Sequence, residues 1–317
     1  MNEYEIINNL KKFIKHPSSL NLEDDVFFDK KKSLLASIDT YNEKIHYLNF
    51  KNPDLIIKKA IRSSISDVIS KGADPKYILL SFSGTKKNFS KKNINLIVNS
   101  IKNEQKKYKF NLIGGDITSS FKSSFTICVF SFAKNIIQRK GCFKNDDLYL
   151  TGNIGDASVG LEIIKKKINP PVKSKSFFLN KFYMPDLAFG FHKELNKFAT
   201  SSIDVSDGLL IDINKLVSYK KFGFVIDFDV LPKSKYFNKL VKNNQISIHD
   251  HIFKGDDYQI LFTASKINRK IVKKYAKKWN QKITKIGNIT TQKANYLKFK
   301  DKLNKINDYQ GYIHNFI

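Results

Sequence analysis

The chain has 317 residues, with 56 Lys+Arg against 29 Asp+Glu and a formal net charge of +27. With 41% hydrophobic and 13% aromatic residues it can bury a core, which excludes general disorder, and its length accommodates two domains. The start Met1-Asn2-Glu3-Tyr4-Glu5 lacks the basic and apolar stretches of a secretory leader, and the densest apolar run, 125–133, is about half of what spans a bilayer. The two cysteines, Cys128 and Cys142, form no CxxC pair, which argues against a disulfide framework or a thiolate zinc site. The chain reads as soluble and cytoplasmic. The charge excess raises nucleic-acid binding, but the lysines are spread along the chain beside abundant Asn, Ile and Phe. AT-rich codons supply those same residues, so neither a nucleic acid nor a membrane is an expected partner.

In chain order, Ile6, Ile7, Leu10, Phe13 and Ile14 give residues 3–15 a helical spacing, and 34–40 reads as a strand. Asn52 as N-cap and Pro53 at the first helical position open a long helix, with an apolar stripe through Ile57, Ile61, Ile65, Val68 and Ile69, stopped by Gly72 and Pro75. Strands are expected at 77–83, at 110–113 running into Gly114-Gly115-Asp116, and at 124–133. The second half repeats the alternation. A strand at 148–151 leads through a Gly152–Gly155 turn to a helix at 156–167, and Pro170 and Pro171 break the chain. Helices follow at 186–198 and from Ser206-Asp207-Gly208 to about 218, then strands at 222–230, 258–263 and 283–289 with a basic helix at 268–279. Alternating strands and helices in both halves predict an α/β (α+β) architecture with a junction near 135–145.

The acids are the scarcer resource. Aspartates stand at strand ends or turns beside Gly, Ser or Thr: Asp24-Asp25, Asp39, Asp116, Asp204, Asp207 and Asp256-Asp257. Taken singly, each is an ordinary turn former or helix cap. Asp67 differs, because it interrupts a helix pattern. Converging carboxylates persist only with neutralising cations. An all-oxygen donor set points to Mg²⁺ or Ca²⁺, and Mg²⁺ commonly completes its shell with phosphates and water. Gly114-Gly115 and the Gly152–Gly155 turn allow close backbone approach to an anion. The combination points to phosphoryl transfer, although no GxxxxGK[ST], HRD or DFG motif is present. His249-Asp250-His251 has the look of a metal site, but it lies in a polar stretch without further ligands.

The ordered series of motifs resembles the thiamine-monophosphate kinase family, in the superfamily of aminoimidazole ribonucleotide synthetase. It comprises Asp24-Asp25, Ser37-Ile38-Asp39-Thr40, Ser66-Asp67, Lys71-Gly72-Ala73-Asp74-Pro75, Leu112-Ile113-Gly114-Gly115-Asp116, Arg139-Lys140-Gly141, Tyr149-Leu150-Thr151-Gly152, 203–209, Gly255-Asp256-Asp257-Tyr258 and Gly311-Tyr312. The resemblance covers nearly the whole chain. It implies two synthetase-like domains, 1–138 and 139–317, a homodimer with ATP at its interface, and several Mg²⁺ ions. Carried over residue by residue, it assigns the metal to Asp25, Ser37, Ile38, Asp39, Asp67, Asp116, Asp204 and Asp207. It assigns ATP to Gly115, Asp116, Arg139 and Ser206, and thiamine monophosphate to His46, Asp256 and Tyr312. Departures are Glu23 for a family Gly, Ile38 for Thr (leaving only its carbonyl as a ligand), Asp256 for Glu, and Ile313 in the closing segment.

The implied reaction converts thiamine monophosphate to the diphosphate with ATP as co-substrate. The acceptor phosphate has a second pKa of about 6 and is an anionic nucleophile at neutral pH. No catalytic general base or protein nucleophile is therefore expected, and transfer is direct. Rival readings are another ATP-dependent enzyme of the superfamily, such as the ribonucleotide synthetase, and a basic nucleic-acid-binding module. The closing Gly311-Tyr312 and Asp24-Asp25 favour the kinase. A selenophosphate-type activity would want a reactive Cys near the N-terminus, and there is none.

Overall fold

The computed structural model describes residues 3–307, 309, 311, 312 and 314; Ile313, one of the departures above, lies outside them. The chain begins with α1 (Glu3–Lys11), none of whose residues is buried. The first sheet comprises β1 (Phe27–Asp29), β2 (Leu34–Asn42), β3 (Tyr77–Gly84), β4 (Asn111–Ser119) and β5 (Ser124–Phe132), ordered β1-β2-β5-β3-β4. Between β2 and β3 runs α2 (Pro53–Ser70), and α3 (Lys91–Tyr108) makes the crossover that lets β3 and β4 pair in parallel. The other pairings are antiparallel. Period-two alternation turns Phe125, Ile127 and Val129 of β5 inward onto α2, and Phe82 stacks on Phe125 with ring centroids 4.4 Å apart. The other face is open: Ile38 and Phe132 are 67% and 54% exposed, and every residue of β4 is exposed.

The second sheet contains β6 (Asp147–Thr151), β7 (Ala199–Asp204), β8 (Gly223–Asp227), β9 (Ile260–Ala264), β10 (Ile283–Thr290), β11 (Tyr296–Phe299) and β12 (Lys302–Lys305), ordered β12-β11-β8-β10-β6-β9-β7. Around it lie α4 (Asp156–Ile164), α5 (Val172–Tyr183), α6 (Leu209–Val217), α7 (Lys235–Lys242), α8 (His249–Ile252) and α9 (Arg269–Lys278). Among the described residues, α2 packs on β2 and β5 on one side and on β7, β9 and α5 on the other. It is therefore buried nearly all round, including Lys59, Arg62, Ser63, Ser64, Ser66 and Ser70. Arg62 donates to both Glu104 oxygens at 2.8 and 2.9 Å and to the Pro185 carbonyl at 3.1 Å, tying α2 to α3 and to the second half. A bidentate guanidinium–carboxylate pair of this kind compensates the desolvation of both charges.

Several expectations need correction. The strand at 110–113 does not end before Gly114-Gly115; β4 runs through the glycines to Ser119. A Cβ on Gly115 would fall 1.7 Å from the Leu80 carbonyl oxygen, so the close approach there is strand against strand. The helix at 156–167 stops at Ile164, where Lys166 turns to a φ of 60°. Residues 186–198 form only a 3₁₀ stretch over Phe191–Lys197, entered through Gly190 at a φ of 95°. α3, α5, α7 and β7 were absent from the expected elements, although α3 and α7 place their buried residues at helical spacing. Asn52 stands at the N-cap of α2, but its side chain makes no capping hydrogen bond.

Candidate active site

A cavity of about 2010 Å³ opens between the two halves. At its floor Asp25 arrives from the segment before β1, Asp67 from α2 and Asp204 from the end of β7, each offering a carboxylate oxygen within 4.8 Å of the others. Burial raises Asp204 to about 7, with the nearby Asp25 adding to it, and pushes Asp67 well above the usual carboxylate range, helped by Asp39 and Asp204. Asp39, from β2, is raised to about 6 by burial, with Asp25 and Asp207 contributing and Ser64 opposing. Ser66 Oγ donates to Asp204 Oδ2 at 2.6 Å, while the buried Oδ1 has no partner. Ser37 is buried and donates to the Ser64 carbonyl at 3.2 Å, holding β2 against α2. An orphaned buried carboxylate oxygen inside an all-oxygen donor set fits a hard divalent cation.

Cations rim this floor. Lys71, fully buried, pairs with Asp24 at 2.7 Å and Asp25 at 3.1 Å. Arg139 Nη2 donates to Asp25 Oδ1 at 2.6 Å and its backbone N–H to Asp24 Oδ2 at 3.0 Å. Burial alone would raise Asp25, but Arg139 and Lys71 outweigh it and hold the carboxyl well below its ordinary value. Lys215 pairs with Asp207 at 2.6 Å and Asp212 at 2.8 Å. Glu23, the bulky residue before this pair, forms ion pairs with Lys140 and with Lys11 of α1.

The other wall holds the residues expected to meet the phosphate acceptor. Asp256 sits at a φ of 71° after Gly255, its N–H donating to the Ser206 carbonyl at 2.8 Å. Its Oδ1 pairs with Lys59 at 2.8 Å and accepts from Tyr258 Oη at 3.2 Å; Tyr258 Oη in turn lies 2.7 Å from Tyr41 Oη. His46 Nδ1 accepts from the Asn42 N–H at 2.9 Å, and its ring lies 4.8 Å from Tyr41 and 5.5 Å from His314 between centroids. Burial lowers His46 to about 4, with His314 contributing, so its ring is neutral. Tyr312 is tied by its N–H to the Asp207 carbonyl at 2.9 Å, 47% exposed over the cavity.

Thus Asp25, Asp39, Asp67, Asp204, Asp207, Arg139, Ser206, His46, Asp256 and Tyr312, with Ile38, line one cavity. Asp116 and Gly115 stand apart from it. Asp116 aligns through Ser81 and Thr126 with Thr40, three strand spacings or about 14 Å away. It also points to the open face, with Thr40, whereas Asp39 points to α2. The expected anion site at the α4 N-terminus is already filled: Asp257 accepts from the Gly155 N–H at 2.7 Å and the Ala157 N–H at 3.4 Å. His249 stacks on Phe228 at 4.8 Å and His251 Nδ1 lies 2.9 Å from Ser158 Oγ, so neither joins a metal cluster among the described residues.

Sequence reasoning missed Lys59, Lys71, Lys215, Asp212 and the tyrosine pair. One signal was available. Lys59, Ser63, Ser66, Asp67 and Ser70 recur at helical spacing, a polar stripe on a helix that has no face left for solvent.

The family described as AIR synthase related protein, N-terminal domain, matches residues 23–134. The chain is 32% identical over 305 residues to the thiamine-monophosphate kinase of Buchnera aphidicola subsp. Schizaphis graminum, covering 92% of this chain and 91% of that protein. It is 27% identical over 304 residues to the thiamine-monophosphate kinase of Nitrosopumilus maritimus, covering 95% of each. Among solved structures, that of AaThiL complexed with AMPPCP and TMP superposes with a TM-score of 0.87 at 25% identity, over 99% of this chain and 97% of that one. With a full-length relative above 30% identity and the fold in common, the chain belongs to the thiamine-monophosphate kinase family.

Proposed function

We propose that this chain catalyses ATP-dependent phosphorylation of thiamine monophosphate to thiamine diphosphate, by direct in-line transfer with no phospho-enzyme. One observation carries the reading: a single cavity holds both the carboxylate cluster and His46, Asp256 and Tyr312. The similar structure bears AMPPCP and TMP together.

In this reading Asp25, Asp39, Asp67, Asp204 and Asp207 hold several Mg²⁺ ions, with Ser37 and the Ile38 carbonyl alongside. When bound, such ions offset the repulsion between donor and acceptor phosphates. The chain itself supplies the positioning. Arg139 and Ser206 face the nucleotide phosphates, and the guanidinium would add fixed positive charge beside their oxygens. Asp256 and the aromatic rings of His46 and Tyr312 hold the thiamine moiety. The acceptor is already an oxyanion at neutral pH, so His46, held neutral, has no proton to abstract.

Gly115 and Asp116 complete the nucleotide site in a homodimer. The exposed apolar positions of the first sheet and its edge strand support pairing through that face, which carries Asp116 of one subunit toward the cavity of the other. We divide the chain into domains at 138/139 and place the enzyme in the cytoplasm. Among the described residues no helix is long and apolar enough to cross a membrane.

The test is coupled ADP release by the purified protein with ATP and Mg²⁺, with and without thiamine monophosphate, the product being identified by chromatography. Thiamine diphosphate formed only when the monophosphate is supplied supports the reading. A folded, ATP-binding protein that forms none overturns it.

A further inference from the structure

Lys59 is a charged side chain that the reaction scheme leaves without a task. It lies on α2, and its side chain is 3% exposed. Its ammonium sits between two groups, 2.8 Å from Asp256 Oδ1 and 3.3 Å from the centroid of the Phe182 ring. Among the described residues Asp256 is the carboxylate in ion-pair contact with it. Burial lowers Lys59 from its ordinary pKa, and Asp256, with Asp257 behind it, works in the other direction. A buried ammonium this dependent on one partner is costly to leave alone.

The pairing is one-sided. Lys59 and Tyr258 both engage Oδ1 of Asp256. Oδ2 has no protein partner among the described residues, and Asp256 lines the cavity. We infer that Lys59 is a positioning residue for thiamine recognition, anchoring one oxygen of Asp256 so that the other is presented to a cationic or N–H-donating heterocycle. This rests on the reading of Asp256 as the substrate-side acid. Asp256 is too short to search for its ligand, so its direction is set from behind. Lys59 and Asp67 are eight positions apart on α2, about 12 Å along one rigid helix. The same helix thereby spaces the heterocycle end of the cavity from its phosphate end.

The experiment measures kcat and KM for thiamine monophosphate and for ATP, with melting temperatures, for Lys59→Met, Lys59→Arg, Asp256→Asn and the double variant Lys59→Met/Asp256→Asn. A freed carboxylate loses a fixed hydrogen-bonding direction, so Lys59→Met should raise KM for thiamine monophosphate about tenfold while KM for ATP stays within about twofold. Lys59→Arg should recover most of this. In the Asp256→Asn background, Lys59→Met should add less than about twofold, because its effect runs through the carboxylate. The double variant leaves no unpaired charge, so it tests the coupling even where Lys59→Met alone folds poorly. If Asp256→Asn raises KM for thiamine monophosphate and Lys59→Met does not, the positioning role is wrong. Equal losses toward both substrates that follow the melting temperature would make Lys59 merely structural and also overturn it. If Asp256→Asn itself leaves that KM unchanged, the substrate-side reading of Asp256 fails, and the inference fails with it.

Discussion

Ser66 Oγ donates to Asp204 Oδ2 at 2.6 Å across 138 positions of chain, joining α2 to the end of β7. It is one of the side-chain contacts through which the first half of the molecule holds an acid contributed by the second, as Lys59 with Asp256 is another. Removing the hydroxyl with Ser66→Ala leaves a buried carboxylate without a donor, which costs about 1–3 kcal/mol. The metal-free melting temperature should fall by roughly 2–10 °C. An unchanged melt would show that the contact does not couple the halves.

Asp67 faces the opposite consequence. It is surrounded by Asp25, Asp39 and Asp204, and their mutual repulsion in a buried site opposes folding. Asp67→Asn should raise the metal-free melting temperature by roughly 2–4 °C, equivalent to about 1 kcal/mol, while abolishing turnover. A variant less stable than the parent without metal would contradict the repulsion.

The pH dependence has a definite sign. Burial raises Asp39 to about 6 and Asp204 to about 7, above the roughly 4 of an unfolded aspartate. The folded metal-free protein therefore binds protons that the unfolded chain releases. This stabilisation is complete below about pH 4 and is lost as pH rises through about 7. Asp25 is held low and titrates below that window. Melts in chelator should thus give a lower midpoint at about pH 8 than at about pH 6. Millimolar Mg²⁺ should narrow or reverse the difference, because deprotonated carboxylates bind the ion. Equal slopes with and without Mg²⁺ would separate these acids from the metal site.

Asp116 lies on the open face of an edge strand, about 14 Å from Thr40 of its own chain. If its work is done in the partner's site, Asp67→Asn and Asp116→Asn should each be inactive alone and complement when mixed. Random reassociation makes half the dimers mixed, each with one intact site of two, so about a quarter of wild-type activity should return. Absence of recovery, with mixed dimers demonstrated, would place Asp116 in its own subunit's site or in neither.

Gly255 carries the turn that presents Asp256. A Cβ there would fall 1.8 Å from the Ser206 carbonyl oxygen, the same carbonyl that accepts the Asp256 N–H. Gly255→Ala should destabilise by about 1–3 kcal/mol and raise KM for thiamine monophosphate more than KM for ATP. Equal effects on both would mean that the turn does not serve the substrate wall specifically.

Much of the fold was written in local patterns. β5 alternates because one of its faces meets α2 and the other does not, and Pro53 and Gly72 bound α2 because φ is restricted at one and positive at the other. The strands of both sheets that were expected are present with shifted ends. α3 and α5 were harder to see: α3 is rich in Lys and Asn, α5 in Lys and Phe, and each buries only a narrow stripe. Gly114-Gly115 misled because glycine marks close approach without saying to what, and here the neighbour is the Leu80 carbonyl.

The sequence by itself determined which acids were candidates for chemistry, a set of carboxylates flanked by Gly, Ser and Thr in a fixed order within a strongly basic chain. Tertiary structure alone decided which of them meet. Asp25, Asp67 and Asp204 converge only because α2 is wedged between two sheets, and that same wedging buries Lys59 and Lys71 against acids far away in the chain. Spacing along a chain reports which face of a helix or strand a residue occupies. It does not report what that face will be packed against, and the charge of each group here is set by that packing.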